Sequence, residues 1–127
     1  MAHILIVDDS PTDAQALKTV LEGAGYRTMV AEDPNTGMAL AKQSKPDVIL
    51  MDVVFQGMSG FQGTRKLARD PETASIPVVI ISRKDQESDR MWGLRQGAVE
   101  YLVKPVRTPK LLATVKDLLA KQSSGSA

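Results

Sequence analysis

The chain has 127 residues, of which 43% are hydrophobic and 24% are charged, as expected for one globular domain with a core of its own. Its 16 basic and 15 acidic residues give a net charge of +1, and it has no cysteine and one histidine, His3. These counts give no support for bulk attraction to nucleic acid or membranes, and they exclude disulfides and cysteine-based sites. With no signal peptide and no apolar run near the ~20 residues of a membrane span, a cytoplasmic protein is expected.

The first predicted strand, residues 3–7, is apolar on both faces and ends in Asp8-Asp9. A helix follows, with Ser10 as its N-cap and Pro11 at its first position. Asp13 stands where the acidic member of a capping box would reach back to the N-cap. We therefore expect the Asp13 side chain to serve the start of this helix.

The rest of the chain repeats the strand–helix pattern. Residues 26–31 form a weaker strand whose polar residues indicate a sheet edge, and Asp33-Pro34 starts the second helix. The apolar run 48–51 leads directly into Asp52, as in a strand covered on both faces. The later elements are a helix near 61–68, a strand at 77–81, a helix containing Met91 and Trp92, a strand at 101–103 and a helix from Thr108. One domain over residues 1–121 and a flexible tail over 122–127 are expected.

Five strand–helix repeats predict an α/β fold, with a parallel sheet covered by helices on both faces. In such folds ligands bind beyond the carboxyl ends of the strands. Polar residues stand at four of those five ends, so the fold would bring them to one edge of the sheet: Asp8, Asp9, Asp52, Ser82 and Lys104.

This set of residues suggests phosphoryl chemistry. Neighbouring carboxylates repel one another, and a divalent cation relieves that repulsion; oxygen ligands alone favour Mg²⁺ or Mn²⁺. Asp52 would then attack phosphorus in line, Lys104 would neutralise the phosphoryl oxygens, and Ser82 would donate a hydrogen bond. Each residue alone has an ordinary structural explanation, such as a turn-capping Asp. Their joint occurrence favours the functional reading.

The motifs that carry this set resemble the receiver domain of bacterial two-component response regulators, the CheY type. They cover nearly the whole chain in order: Ile6-Val7-Asp8-Asp9-Ser10, Leu50-Met51-Asp52, Gly57-Met58-Ser59-Gly60, Ile80-Ile81-Ser82, Gly97-Ala98 and Lys104-Pro105. The stretch Lys84–Asp89, with Trp92-Gly93 and Arg95–Ala98, more narrowly resembles PilH-type regulators of type IV pilus chemosensory systems.

The resemblance implies a flavodoxin-like (βα)5 sandwich with strand order 2-1-3-4-5. It implies Asp52 as the phosphoacceptor and Mg²⁺ ligands from Asp8, Asp9, Asp52 and the backbone carbonyl of Val54. It also implies a Lys104-Pro105 cis bond, Ser82 as a hydroxyl switch and Tyr101 as an aromatic residue that follows it. An output surface would include Met91, Trp92, Arg95 and Tyr101.

The same resemblance implies a sensor histidine kinase as phosphodonor, with a CheA-like kinase as one candidate, and a downstream protein that it does not identify. A monomer or weak dimer is expected, with no enzymatic activity beyond self-phosphotransfer and autodephosphorylation. Phosphorylation would shift a two-state equilibrium read by protein contacts, or the protein would act as a phosphate sink.

Two positions depart from the family pattern: Gln56 replaces the usual proline of the loop after Asp52, and Arg83 replaces a small residue after Ser82. We expect Arg83 to hinder phosphodonors or attacking water, and Val54 and Lys84 to tune the phosphoryl lifetime. Three other functions remain open. A phosphohydrolase would need an acid at Val54, a flavin module would need a hydroxyl-rich loop where Asp8-Asp9 stand, and a degenerate receiver would act only as a scaffold.

Overall fold

A five-stranded parallel sheet in the order β2-β1-β3-β4-β5 forms the centre of the protein. This computed structural model describes residues 2–125 and the side chains of residues 2–122. The elements in chain order are β1 (His3–Val7), α1 (Pro11–Gly23), β2 (Arg27–Ala31), α2 (Pro34–Ser44), β3 (Val48–Met51), α3 (Gly60–Arg69), β4 (Val78–Ser82), α4 (Glu87–Gln96), β5 (Glu100–Val103) and α5 (Thr108–Gly125). The predicted fold class and strand order are confirmed.

Both faces of the sheet are buried, and the three central strands are apolar except for His3 at the start of β1 and Ser82 at the end of β4. In β1, Ile4 and Ile6 join a core cluster with residues of α1 and α5, whereas Leu5 and Val7 join a second cluster with residues of α2 and α3. All four side chains are fully buried, and each such burial contributes on the order of 1.5–3 kcal/mol. The sheet is thus a rigid platform between two helical layers.

The polar residues that start the helices behave as predicted, with one exception. Ser10 caps α1 by accepting a hydrogen bond from the Asp13 amide at 3.2 Å, and Asp33 caps α2 by accepting one from Thr36 at 2.8 Å. The capping box predicted for Asp13 is wrong, because its carboxylate binds two cations from other parts of the chain. A complete capping box occurs instead at α3, between Ser59 and Gln62.

Several element boundaries differ slightly from the predicted ones. Strand β2 begins at Arg27 and lies at the sheet edge, as its polar residues indicated. Helix α5 runs through Gly125, beyond the predicted tail boundary at 122, and the Gln122 side chain donates to the carbonyl oxygen of Asp47 at 2.7 Å. The mobility predicted for the tail stays a prediction, and residues 126–127 lie outside the described residues. Within residues 2–125, no helix has the length and apolar character needed to cross a bilayer.

The register of the strands brings their carboxyl ends together. Val7 of β1 pairs with Met51 of β3, and Ser82 of β4 pairs with Val103 of β5. The residues that follow β1, β3 and β5 therefore start from one edge of the sheet, next to Ser82 at the end of β4. We call this the carboxyl edge.

Candidate functional site

Three carboxylates lie together at the carboxyl edge. Asp8 follows β1 and is buried, Asp52 follows β3 and is half-buried, and Asp9 is exposed to solvent. Each offers an oxygen atom, and these atoms lie within 4.8 Å of one another. The structure thus brings together the three acids that the strand pattern predicted to converge.

Lys104 brings one positive charge to this site from the end of β5. Its Nζ atom donates to Oδ2 of Asp8 at 2.8 Å, of Asp13 at 2.9 Å and of Asp52 at 3.1 Å. Burial of the side chain alone would lower the pKa of Lys104, but the three hydrogen bonds to carboxylates outweigh burial and raise it. The side chain is therefore a buried ammonium ion, and the Lys104-Pro105 peptide bond beside it is cis, as predicted.

Opposing effects act on the pKa of the Asp52 carboxyl group. Burial raises its pKa, while the Val53 amide, which donates to Oδ1 at 2.7 Å, and the Lys104 ammonium lower it in part. Gly60 packs against the backbone of Asp52 so closely that a Cβ there would collide with the Asp52 carbonyl oxygen. Its amide donates to the carbonyl oxygen of Val53 at 2.9 Å. Glycine at this position thus lets the start of α3 fold down against the backbone of Asp52.

Asp13 is a fourth carboxylate at the site, and the sequence reasoning missed it. Arg83 donates to both Asp13 oxygens, from NH1 at 2.7 Å and from NH2 at 3.2 Å, and Lys104 donates to Oδ2. The hydrogen bonds from Arg83 and then Lys104 lower the pKa of Asp13 to about 2. The position of Asp13 in the first turn of α1, directly after Asp8-Asp9, could have indicated that its side chain lies near the carboxyl edge.

The residues around Ser82 border the site. Ser82 is fully buried, and its Oγ accepts a hydrogen bond from the Lys84 amide at 3.1 Å. Arg83 and Lys84 are exposed, and the guanidinium of Arg83 turns toward α1 to reach Asp13. Val54 and Gln56 are also exposed in the loop after Asp52. The predicted effects of Arg83, Lys84, Val54 and Gln56 on access and lifetime stay predictions.

The predicted output surface divides into exposed and buried parts. Met91, Trp92 and Arg95 point outward from α4, with Met91 49% and Trp92 48% exposed. Tyr101 differs from the prediction, because its side chain is only 6% exposed and its hydroxyl donates to the carbonyl oxygen of Lys84 at 2.7 Å. A partner at this face would touch α4 but not the Tyr101 ring in this conformation.

Close packing by Gly93 explains how α4 covers Tyr101. A Cβ at Gly93 would lie 2.8 Å from Cδ1 of Ile80 and 3.1 Å from the Tyr101 ring. The helix therefore approaches β4 and β5 more closely than any larger residue would permit. This approach buries the ring and connects it to the backbone that follows Ser82.

Residues 4–116 match the family described as the response regulator receiver domain. The chain belongs to this family. It is 54% identical over 120 residues to the protein PilH of Pseudomonas aeruginosa PAO1, covering 94% of this chain and 99% of PilH. Its fold is similar to that of the chemotaxis protein CheY4 of Vibrio cholerae, with a TM-score of 0.86, 30% identity and coverage of 93% of this chain and 98% of CheY4.

A more distant structure shares the fold alone. The receiver domain of the sensor histidine kinase PA1611 from Pseudomonas aeruginosa PAO1 has a TM-score of 0.87 at 24% identity, covering 94% of this chain and 98% of that domain. Its structure has a magnesium ion coordinated in the active-site cleft. The relationship predicted from the motifs, to response regulator receivers and to PilH in particular, is confirmed.

Proposed function

We propose that this receiver domain accepts a phosphoryl group on Asp52 from a sensor histidine kinase, with the CheA type as one candidate, and signals through protein contacts. The observation that carries the proposal is the contact between Asp52 and the buried ammonium of Lys104, beside two further carboxylates. A nucleophile next to a fixed cation is the arrangement that phosphoryl transfer needs, because catalysis there is mainly positioning and charge stabilisation.

In the proposed reaction an Asp52 oxygen forms a bond to phosphorus while the bond from phosphorus to the donor breaks. With a phosphohistidine donor, the electron pair of the P–N bond stays on the imidazole nitrogen, which takes a proton from solvent. Lys104 stabilises the negative charge on the phosphoryl oxygens as a point charge. The buried hydroxyl of Ser82 would move from its local hydrogen bond with Lys84 to donate to one of those oxygens.

The donor set at the carboxyl edge fits a Mg²⁺ ion, or Mn²⁺ in its place. All the candidate ligands are oxygens, from the side chains of Asp8, Asp9 and Asp52 and the backbone carbonyl of Val54, and hard cations prefer such ligands. Bound there, the ion would neutralise the acids and polarise a phosphoryl oxygen. The resemblance to the receiver family implies that Asp9 would be a direct ligand and that Asp8 would act partly through water; Asp9 is the most open of the three acids and Asp8 the most enclosed.

The signal would leave through α4 and its neighbours β5 and α5. Met91, Trp92 and Arg95 offer an exposed mixed apolar and basic surface. Tyr101 and Ser82 would couple the site to this surface, because the Tyr101 hydroxyl and the Ser82 Oγ both bind the backbone of Lys84. Similarity to PilH supports a role in pilus or chemotaxis-type motility control, either through a downstream partner or as a phosphate sink.

The test is the intact mass of the protein after incubation with Mg²⁺ and acetyl phosphate. The wild type should gain one phosphoryl group, and Asp52→Asn should gain none while keeping its circular dichroism spectrum. Asp47→Asn is the matched control, because Asp47 lies at the opposite end of β3 and accepts a hydrogen bond from the His3 amide, which asparagine can also accept. Equal labelling of wild type and Asp52→Asn would refute the assignment, and no labelling of either would favour the scaffold function.

A further inference from the structure

The Asp13 carboxylate joins two cations that come from different edges of the site. Its Oδ2 atom accepts from NH1 of Arg83 at 2.7 Å and from Nζ of Lys104 at 2.9 Å, and its Oδ1 atom accepts from NH2 of Arg83. Asp13 is in α1, Arg83 follows β4 and Lys104 follows β5. One carboxylate therefore links helix α1 to the ammonium that contacts Asp52.

The three N–H donors of Lys104 are all in use, because an ammonium has three and each points to a different carboxylate. A phosphoryl group on Asp52 carries a charge of about −2, and its oxygens need a hydrogen bond from Lys104. The contact with Asp52 weakens as that carboxylate becomes an acyl phosphate, which frees one donor. A second donor becomes available to the phosphoryl oxygens only when Asp8 or Asp13 gives up its contact with Lys104. The identity of the partner that yields then decides how strongly the site holds a phosphoryl group.

Asp13 is better placed to yield than Asp8. The Asp8 side chain is 2% exposed, and its other oxygen is fixed by the Ser10 amide at 2.9 Å. The Asp13 side chain is 18% exposed and has a second cation in Arg83, whose side chain is 70% exposed and free to move with it. Asp13 can leave Lys104 without becoming an unpaired buried charge, which Asp8 cannot do as easily.

We propose that Asp13 is a positioning residue that competes with the phosphoryl group for Lys104, and that Arg83 sets the strength of this competition. The proposal rests on the proposed phosphorylation of Asp52. Asp13 holds the ammonium in the unmodified protein and gives it up to the phosphoryl oxygens while staying paired with Arg83. Arg83 acts through Asp13 because it provides the alternative partner.

The two residues then have opposite effects on the affinity for a phosphoryl group. Asp13→Asn removes the competing charge and should tighten binding of beryllofluoride, a phosphoryl mimic, about three- to tenfold, which is the range that the net free energy of one typical hydrogen bond corresponds to. Arg83→Gln leaves Asp13 with Lys104 alone and should weaken that binding by about the same factor. Asp13→Glu keeps the charge and should stay near the wild-type value.

The experiment is a titration of the full chain with beryllofluoride at saturating Mg²⁺, followed by backbone amide NMR. Lys42→Gln and Asp70→Asn are matched controls. Nζ of Lys42 lies 2.9 Å from Oδ2 of Asp70, and this ion pair joins α2 to the end of α3 away from the site. These two should leave the dissociation constant unchanged. The double variant Asp13→Asn with Arg83→Gln separates the proposal from a general electrostatic effect. If Arg83 acted only through its charge, Arg83→Gln would lower the affinity for beryllofluoride by the same factor with or without Asp13.

The expected result is a tighter complex for Asp13→Asn, a weaker one for Arg83→Gln and little effect of Arg83→Gln in the Asp13→Asn background. Equal or weaker binding by Asp13→Asn, or an effect of Arg83→Gln that is independent of Asp13, would overturn the competition while leaving the phosphoacceptor function intact. Absence of binding by every form would overturn the phosphoacceptor function and this inference with it. If Asp13 had only a structural role, Asp13→Asn would lower the free energy of unfolding, but Arg83→Gln would have the same effect on beryllofluoride affinity with and without Asp13.

Discussion

The Nζ atom of Lys104 lies 3.1 Å from Oδ2 of Asp52, although 52 positions separate the two residues in the chain. The same ammonium contacts Asp8 and Asp13, so one cation compensates three carboxylates. Lys104→Met should therefore lower the free energy of unfolding at neutral pH by about 3 kcal/mol in the absence of Mg²⁺, because it leaves enclosed charges without their partner.

Urea unfolding measures this loss, with Lys42→Met as its control. Lys42 makes an ion pair with Asp70 at a more exposed position, so its removal should destabilise the fold much less than the removal of Lys104. Similar losses in the two variants would show that Lys104 adds nothing beyond an ordinary surface pair.

Asp9 provides a second prediction, for metal binding. Asp9→Ala should weaken Mg²⁺ binding by about tenfold or more, because it removes one of the three clustered carboxylates that are proposed to hold the ion. A Mg²⁺ titration followed by backbone amide NMR gives the dissociation constant. Asp47→Asn is the control, since Asp47 stands before β3, at the end of the strand opposite to Asp52, and accepts a hydrogen bond from the His3 amide. If both variants bound Mg²⁺ like the wild type, the metal assignment would be wrong.

Gly60 provides a third prediction, for the loop after Asp52. Gly60→Ala should lower the free energy of unfolding by about 3 kcal/mol, since the added Cβ collides with backbone atoms of Asp52 rather than with a movable side chain. Gly23→Ala is the control: a Cβ there meets nothing within 4 Å, so stability should stay the same or rise by up to about 1 kcal/mol. Chemical denaturation of both variants tests this, and a harmless Gly60→Ala would contradict the packing.

The pH dependence of stability should report on Asp13. Its pKa is lowered from 3.8 to about 2 by Arg83 and Lys104, so its ion pairs stabilise the fold fully above about pH 4 and are lost as the pH falls toward 2. The free energy of unfolding of the wild type should therefore exceed that of Asp13→Asn by about 1 kcal/mol at pH 5, because solvent screens the ion pairs of this partly exposed carboxylate, and this gap should close near pH 2. Urea unfolding of both proteins between pH 2 and 6 measures the gap, and a pH-independent gap would contradict the assigned ion pairs.

Much of the site could be predicted because it follows from strand ends. The run from Val48 to Met51 identifies a buried strand, and Asp52 directly after it must lie at the carboxyl edge of a parallel sheet. The same argument placed Asp8, Asp9 and Lys104, and the structure brings their side chains together. Such residues can be located from the sequence because the geometry of a parallel sheet fixes where the end of each strand lies.

The contacts of long side chains could not be predicted in this way. Asp13 has the spacing of a capping-box residue, and nothing near it in sequence shows that Arg83, 70 positions away, binds its carboxylate instead. Trp92 and Tyr101 show a similar limit: both are aromatic residues in or beside α4, yet Trp92 is half-exposed and Tyr101 is buried. Which of them faces solvent depends on how closely Gly93 lets the helix approach the sheet.

The dispersal of the site over β1, β3 and β5 has a consequence for synthesis on the ribosome. The chain produces its acids at positions 8, 9, 13 and 52 well before position 104, and Lys104 follows the last strand, at the edge of the sheet. A nascent chain that has folded only as far as β4 would hold these four carboxylates close together without the Lys104 ammonium that contacts three of them. Docking of β5 therefore brings the Lys104 ammonium to the acids in the same step that completes the sheet, so a chain without β5 lacks the complete site.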